Sequence, residues 1–267
     1  QELNLITSAI SRIIMFMHNV DEFLIVQGDT LDNPQILEND ELKKFDVIMA
    51  NPPYSVKKWN REKWMNDPFG RNIWGTPPQG CADYAFQQHI MASLKEGTGR
   101  CVILWPHGVL FRDAENGIRK KMIENDYVDA VIGLGKNLFY NSSMESCLLV
   151  CRMEKAKERQ GKILFIDARE ELKIERTNAW LELSHIHKIS KAYWAYRDQE
   201  GFSKIKSNIE VLENNGNLSI QLYVKQNKNN LEHRTEDLIE SIKSSQQHLN
   251  TSLTELLSQL SNIGIKA

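Results

Sequence analysis

Short apolar runs, each stopped by a glycine, a proline or a charge and separated by amphipathic segments of helix length, limit what this chain can fold into. The runs are FLIVQGD at 23–29, FDVIMANPP at 45–53, RCVILW at 100–105, VDAVIGL at 128–134 and CLLVCR at 147–152. Runs of this length bounded by breakers read as buried strands. Leu5, Ile6, Ala9, Ile10, Ile13, Ile14 and Met17 recur at the 3.6-residue period of an amphipathic helix. Further helices are expected from about Asp83 to Lys95 and near Glu115 to Asn125. Strands alternating with helices predict an α/β fold with a parallel, doubly wound sheet.

The texture changes after Arg152. EKAKERQGK is a charged connection, GKILFID is one more strand, and 180–196 reads as helical. From Leu231 onward, Leu238, Ile242, Leu249, Leu253, Leu256, Leu260 and Ile263 recur at three-, four- and seven-residue steps in polar surroundings. That narrow stripe suits a facing partner helix, or packs back on its own domain. Three regions are expected: a main α/β domain at 1–155, its extension at 156–228, and a long amphipathic helix at 229–267.

The four cysteines, Cys81, Cys101, Cys147 and Cys151, form no C-x-x-C pair, so buried reduced thiols are expected and neither a disulfide nor a metal site is required. No run of 18 apolar residues occurs and the first residues are unlike a signal peptide, so the expected setting is the cytoplasm, with no membrane partner. The formal charge of −2 argues against a chain that grips nucleic acid alone, which usually carries a basic excess.

The tetrapeptide Asn51-Pro52-Pro53-Tyr54 follows the strand FDVIMA directly. Its pattern arises by chance in about one chain of this length in a hundred, so a chemical task is the better explanation than a simple turn. The lone pair of an amine conjugated to a ring is delocalised. A site that makes such a nitrogen nucleophilic must draw its two N–H bonds towards acceptors, and the Asn51 side-chain oxygen and the Pro52 carbonyl supply two. The prolines fix φ near −65° and hold that pair rigid. Tyr54 offers a flat face for a base flipped out of a duplex. Just beyond, Lys57, Lys58, Arg61 and Lys63 read either as a solvated loop or as phosphate contacts.

The ordered series QELN (1–4), GDTL (28–31), FDVIMANPPYS (45–55), ADYAFQQHI (82–90), GRCVILWPHGVLF (99–111), IRKKMIE (118–124) and GLGKNLFYNSSMESCLLV (133–150) resembles the methylation subunit of type I restriction-modification systems, an N6-adenine DNA methyltransferase. The resemblance spans residues 1 to about 225. It implies a Rossmann-like sheet of the S-adenosylmethionine-dependent methyltransferase type with a helical C-terminal region. It also implies S-adenosylmethionine as cofactor. Glu2 matches the acid that holds the cofactor ribose and Asp29 the acid that accepts from its adenine amine, with Asn51 beside them. Asp83 resembles a residue near the cofactor, or is simply a helix N-terminal carboxylate. Phe139 and Tyr140 match an aromatic pair that lines the target-base pocket with Tyr54, or are core aromatics.

The family's glycine-rich loop belongs just before Gln1, so the chain is expected to lack its first strand and that loop. The partners implied are DNA, a specificity subunit, a restriction subunit and a second methylation subunit. Two other readings stay open. One is an assembly module that binds these partners without methylating. The other is a methyltransferase acting on protein glutamine, whose side-chain amide is also a conjugated amine. Cytosine is disfavoured as target, because its enzymes more often carry Ser in place of Asn51.

Overall fold

The computed structural model describes residues 1–139, 142–175, 178–225, 239–240, 242–247 and 249–254. The chain forms two compact units, Gln1–Val224 and Lys225–Ala267. In chain order the first contains α1 (Leu5–Met17), β1 (Leu37–Glu38), β2 (Glu41–Leu42), β3 (Val47–Ala50), α2 (Arg61–Met65), α3 (Asp83–Ala92), β4 (Arg100–Pro106) and α4 (Asn116–Glu124). There follow β5 (Val128–Leu134), β6 (Ser146–Arg152), β7 (Lys162–Ala168), β8 (Lys173–Glu175), β9 (Asn178–Trp180), α5 (Leu183–Ala195), β10 (Ser203–Ser207), α6 (Asn208–Glu213) and α7 (Ile220–Tyr223). No helix among the described residues is long and apolar enough to cross a membrane.

Six strands make the central sheet in the order β10-β7-β5-β6-β4-β3. The α/β class holds, but the sheet is mixed where a parallel one was expected. β3–β4 and β5–β7 are parallel, while β6 runs antiparallel to both β4 and β5, and β10 antiparallel to β7. The link from β5 to β6 spans only 135–145, and the described part of it contains no helix. A short link can join antiparallel neighbours, whereas parallel ones need a crossover of a dozen residues or more. The extension after Arg152 adds β7 and β10 to this same sheet.

Both faces of the sheet bury apolar side chains. On one, Ile103, Trp105, Val131 and Phe165 pack with Tyr84, Met91, Met122 and Ile123 of α3 and α4. On the other, Leu104, Ile132, Leu164 and Ile166 pack with Ile189 and Ala192 of α5. That second layer is incomplete: beside α5 an apolar groove of about 390 Å3 runs over Val47, Met49, Val102 and Leu148. All four cysteines are buried and free.

Three segments depart from the sequence reading. FLIVQGD is not a buried strand: it has one parallel bridge, Gln27 to Glu2, and leaves Phe23 and Leu24 exposed. A strand needs a neighbour along its length to satisfy its backbone groups, and here the partner segment is only a few residues long. The strand in FDVIMANPP lies at the sheet edge, with Val47 and Met49 exposed. Trp180 belongs to the β8–β9 hairpin, and the helix after it begins at Leu183.

In the second unit the described residues from 239 to 254 are helical, with Ile239, Ile242, Leu249 and Leu253 exposed. Leu231, Leu238, Leu256, Leu260 and Ile263 of the expected helix lie outside the described residues.

Candidate functional site

Local pairing sets the first wall of the site. Glu2 N–H donates to the Val26 carbonyl (3.0 Å) and Gly28 N–H to the Glu2 carbonyl (2.9 Å), so residues 1–4 lie beside 26–28 and bring Glu2 next to Asp29. The Asp29 carboxylate caps its own turn, accepting from the N–H groups of Leu31 (2.8 Å) and Asp32 (3.0 Å) through Oδ1. Arg71 holds that turn from behind. It is 1% exposed, paired with Asp67, and donates to the carbonyls of Thr30 and Leu31, both at 2.8 Å. Its guanidinium also lies 4.7 Å from the ring centre of Trp64. Arg71 escaped the sequence reading because a lone arginine in a polar loop carries no periodic signal.

The opposite wall is the edge strand β3 and the turn that follows it. Between the walls lies a cavity of about 1330 Å3, lined by Glu2, Asp29, Ile48, Ala50, Asn51 and Pro52 among others, with Phe86, His89 and Ile90 of α3 below. A second chamber of about 380 Å3 is lined by Asn51, Pro52, Pro53, Tyr54, Pro106, Phe139, Ser142, Met144, Glu145 and Ser146. Asn51, Pro52 and Pro53 line both. The tetrapeptide is therefore the partition between a large cavity carrying the Glu2 and Asp29 carboxylates and a smaller one walled by Tyr54, Phe139, Pro106 and Met144, with Glu145 and two serines at its side.

Within the partition, the Tyr54 hydroxyl donates to Asn51 Oδ1 at 2.7 Å. An amide oxygen has two lone pairs, so one stays open to a second donor. Burial, with Cys147 and Asp83 nearby, pushes the Tyr54 hydroxyl above its ordinary pKa, which keeps it a donor near neutrality. Its ring rests 6.3 Å, centre to centre, from Trp105, whose indole N–H donates to Gln87 at 3.0 Å.

The structure thus brings Glu2, Asp29 and Asn51 to one cavity, and Tyr54 and Phe139 to the adjoining chamber. Phe139 lines this chamber and also packs against the core. Tyr140 lies outside the described residues. Asp83 stands apart from the large cavity and takes the helix-start position at α3. It is 0% exposed and does not line the large cavity, because both of its oxygens are taken, one by the Ser55 N–H (2.6 Å) and one by Arg112 (2.5 Å).

Cys81, Asp83 and Glu115 converge within 4.8 Å, a spacing that could hold a metal ion. The cationic position is filled by Arg112, whose Nε lies 2.9 Å from Glu115, and burial raises the pKa of Glu115. Of the four basic residues after the turn, Arg61 donates to the Pro77 carbonyl and Lys63 pairs with Asp32, while Lys57 and Lys58 are exposed.

The sequence reading also missed Pro106, Met144, Glu145 and Ser146 in the chamber. Pro106 ends a strand at the carboxyl edge, where ligands collect in open α/β sheets, and that rule could have found it. Met144 and Glu145 lead into β6 and Ser146 begins it, and they reach the same edge only because β6 is antiparallel. Glu145 there lies 3.6 Å from both His107 and Lys136, and burial lowers the pKa of His107.

The sequence profile of a family described as N-6 DNA Methylase matches residues 1–232. The chain is 34% identical to the Type I restriction enzyme MjaVII methylase subunit of Methanocaldococcus jannaschii over 84% of its length, and 30% identical to the Type I restriction enzyme MpnII methylase subunit of Mycoplasma pneumoniae over 97%. Those alignments take in 40% and 50% of the relatives, so the chain spans about half their length or less. In structure it resembles the type I restriction-modification system methyltransferase subunit from Streptococcus thermophilus, with a TM-score of 0.77 at 35% identity, covering 84% of this chain and 48% of that one.

Proposed function

This chain belongs to the N-6 DNA methylase family, and from that membership we propose that it is part of a DNA methyltransferase that modifies the exocyclic N6 amine of adenine. The observation that carries the reading is the double exposure of Asn51, Pro52 and Pro53 to the two cavities. A methyl donor and an acceptor amine held on either side of this partition meet at Asn51. In this reading the flipped base enters the chamber with Tyr54 and Phe139 at its walls. The free lone pair of Asn51 Oδ1 and the Pro52 carbonyl accept the two amine N–H bonds, which localises the nitrogen lone pair for attack. No covalent link to the protein is needed, and positioning carries the step.

S-adenosylmethionine fits the donor set of the larger cavity and, when bound, supplies a methyl group on a positively charged sulfur. Glu2 offers a carboxylate for a ribose diol. Asp29 keeps Oδ2 for an adenine amine, since Oδ1 is engaged by its own turn. Ile36, Ile48 and Phe86 give apolar walls. The backbone that would enclose the methionine part is proposed to pair as a strand along the edge of β3, which is free among the described residues. That edge leaves Val47 49% and Met49 83% exposed, and the space beside it is the 1330 Å3 cavity itself.

The partners proposed are DNA, a specificity subunit that reads the bases, a restriction subunit and a second methylation subunit, working in the cytoplasm. The balanced charge supports a partner that supplies part of the DNA grip. The exposed Ile242, Leu249 and Leu253 support a facing helix on such a partner. A second reading, an assembly module that does not methylate, is favoured by the same uncovered β3 edge.

The test is methyl transfer by the full-length subunit in complex with its partners. DNA recovered from the assay should carry N6-methyladenine, and Asn51→Ala should lower turnover by about 10²–10³-fold. Near-normal turnover by that variant would sink the mechanism.

A further inference from the structure

The turn Asn51–Tyr54 is anchored at its entry by β3, whose Ala50 is in register with Ile103 of β4. Its exit lacks such support: Ser55, Lys57 and Lys58 are exposed. Two consecutive prolines also strip the turn of backbone donors. Among the described residues, the Ser55 N–H is the first backbone donor after the prolines to find a protein acceptor, and that acceptor is Asp83 Oδ1 at 2.6 Å. Ser55 holds φ at +51°, a left-handed conformation that a residue with a side chain adopts only where its surroundings hold it. A second bond, from the Ala82 N–H to the Val56 carbonyl (3.2 Å), ties the next residue to the same helix start.

The carboxylate that receives Ser55 is itself fixed. It opens α3, where the helix N-terminus favours an anion. Its other oxygen meets Arg112 at 2.5 Å, and Arg112 reaches Glu115, 1% exposed, at 2.9 Å. Buried charge is tolerated where it is paired in this way. The chain of contacts runs from the core through Asp83 and Ser55 to the partition between the cavities, yet Asp83 lines neither one.

We propose that Asp83 is a positioning residue for methyl transfer, acting on the target amine only through Ser55 and the Asn51–Tyr54 turn and touching neither base nor cofactor. This rests on the methyl-transfer reading above. What Asp83 contributes is an acceptor in a fixed place, and its charge serves to balance Arg112. Releasing the exit of the turn lets Asn51 and Pro52 drift, and a misplacement near 1 Å in such a site lowers turnover by about a hundredfold.

Two variants separate this from a merely structural role. In the full-length subunit with its partners, Asp83→Ala should lower kcat about a hundredfold while the KM values for DNA and cofactor move less than about threefold. Asp83→Asn keeps a neutral acceptor in the same place while Arg112 stays paired with Glu115, and should recover kcat to within about tenfold of the parent. In this chain alone, hydrogen exchange at the Ser55 amide should speed up in Asp83→Ala and slow again in Asp83→Asn. An Asp83→Ala protein with normal kcat and a raised cofactor KM would make Asp83 a cofactor contact and overturn the proposal. So would a Ser55 amide that exchanges equally fast in parent and variant. A parent enzyme that methylates no adenine defeats the functional reading instead, and the exchange measurement still decides the anchoring.

Discussion

The strands β5 to β7 and the first fifty residues carry apolar patterns of similar regularity, and they fare differently. All seven residues of β5 are buried, between β6 on one side and β7 on the other. In α1 the apolar stripe faces outward: Ile6 is 69% exposed, Ile10 50% and Ile13 57%, and the residue the helix buries is Ser8. β3 repeats the contrast within one strand, since Ile48 and Ala50 pack on the α3 side of the sheet while Val47 and Met49 stay exposed on the other. Periodicity tells which face of an element is apolar. It does not tell whether the same chain provides the layer that covers it. Here the covered half is finished in chain and the uncovered half flanks the large cavity.

If the uncovered half is the seat of a cofactor whose enclosure comes from polypeptide outside this chain, the largest effect should come from adding that polypeptide. A protein of the full span of the methylase relatives should bind S-adenosylmethionine about 10²–10⁴-fold more tightly than this chain. Each charge-assisted hydrogen bond gained contributes roughly 1.5–3 kcal/mol, and about two are expected. Titration calorimetry on both proteins measures the difference. Micromolar binding by this chain would mean that its own segments already close the site, and the contrast between the halves would lose its functional meaning.

A matched pair of truncations tests the contrast as a matter of stability. Leu149, in the middle of β6 and fully buried, should lose about 2–5 kcal/mol on replacement by alanine, through lost transfer energy and a residual cavity. Ile13, equally apolar, should lose less than about 0.5 kcal/mol in this chain, because water already reaches it. Urea unfolding of the two variants gives both numbers. A large loss at Ile13 would show that α1 is covered in solution by something its exposed stripe does not reveal.

The parts of the fold legible in the sequence were those whose cause is local. α3, α4, β4, β5, β6 and β7 appear within a few residues of where breakers and periodicity put them, and the Asn51 turn falls directly after its strand. What stayed hidden depended on distant partners. FLIVQGD has strand-like composition and, among the described residues, no strand to pair with beyond the single bridge at Glu2. β6 looks like any buried strand, and its antiparallel direction, which carries Glu145 and Ser146 to the site, follows from the length of a link. Asp83 was visible as a helix-start carboxylate. Its grip on Ser55, 28 residues away, became visible only once α3 was seen beside the turn.

The smallest expected effect lies at the seam between the two halves, where His89 of α3 meets Arg71, whose guanidinium Nη1 is 3.3 Å from the His89 Nδ1. Burial and the adjacent Arg71 charge, which outweigh the opposing pull of Asp67, push the imidazole from its ordinary 6.5 down to about 3. The folded protein therefore keeps His89 neutral between those values while the unfolded chain takes up a proton. Its stabilising contribution is fully present above about pH 6.5 and drains away as the pH falls towards 3, at up to ~1.4 kcal/mol per pH unit. His107, also lowered by burial, adds to the same trend, whereas Asp67, held below its ordinary value by Arg71, loses stability only in the carboxylate range beneath it. His89→Gln removes the titrating group, so denaturant midpoints measured from pH 7 to 5 should fall less steeply for the variant than for the parent. Equal slopes would mean that the ring is solvated and can charge in place, and that Arg71 does not bind the turn of Asp29 as tightly as its contacts to Thr30 and Leu31 require.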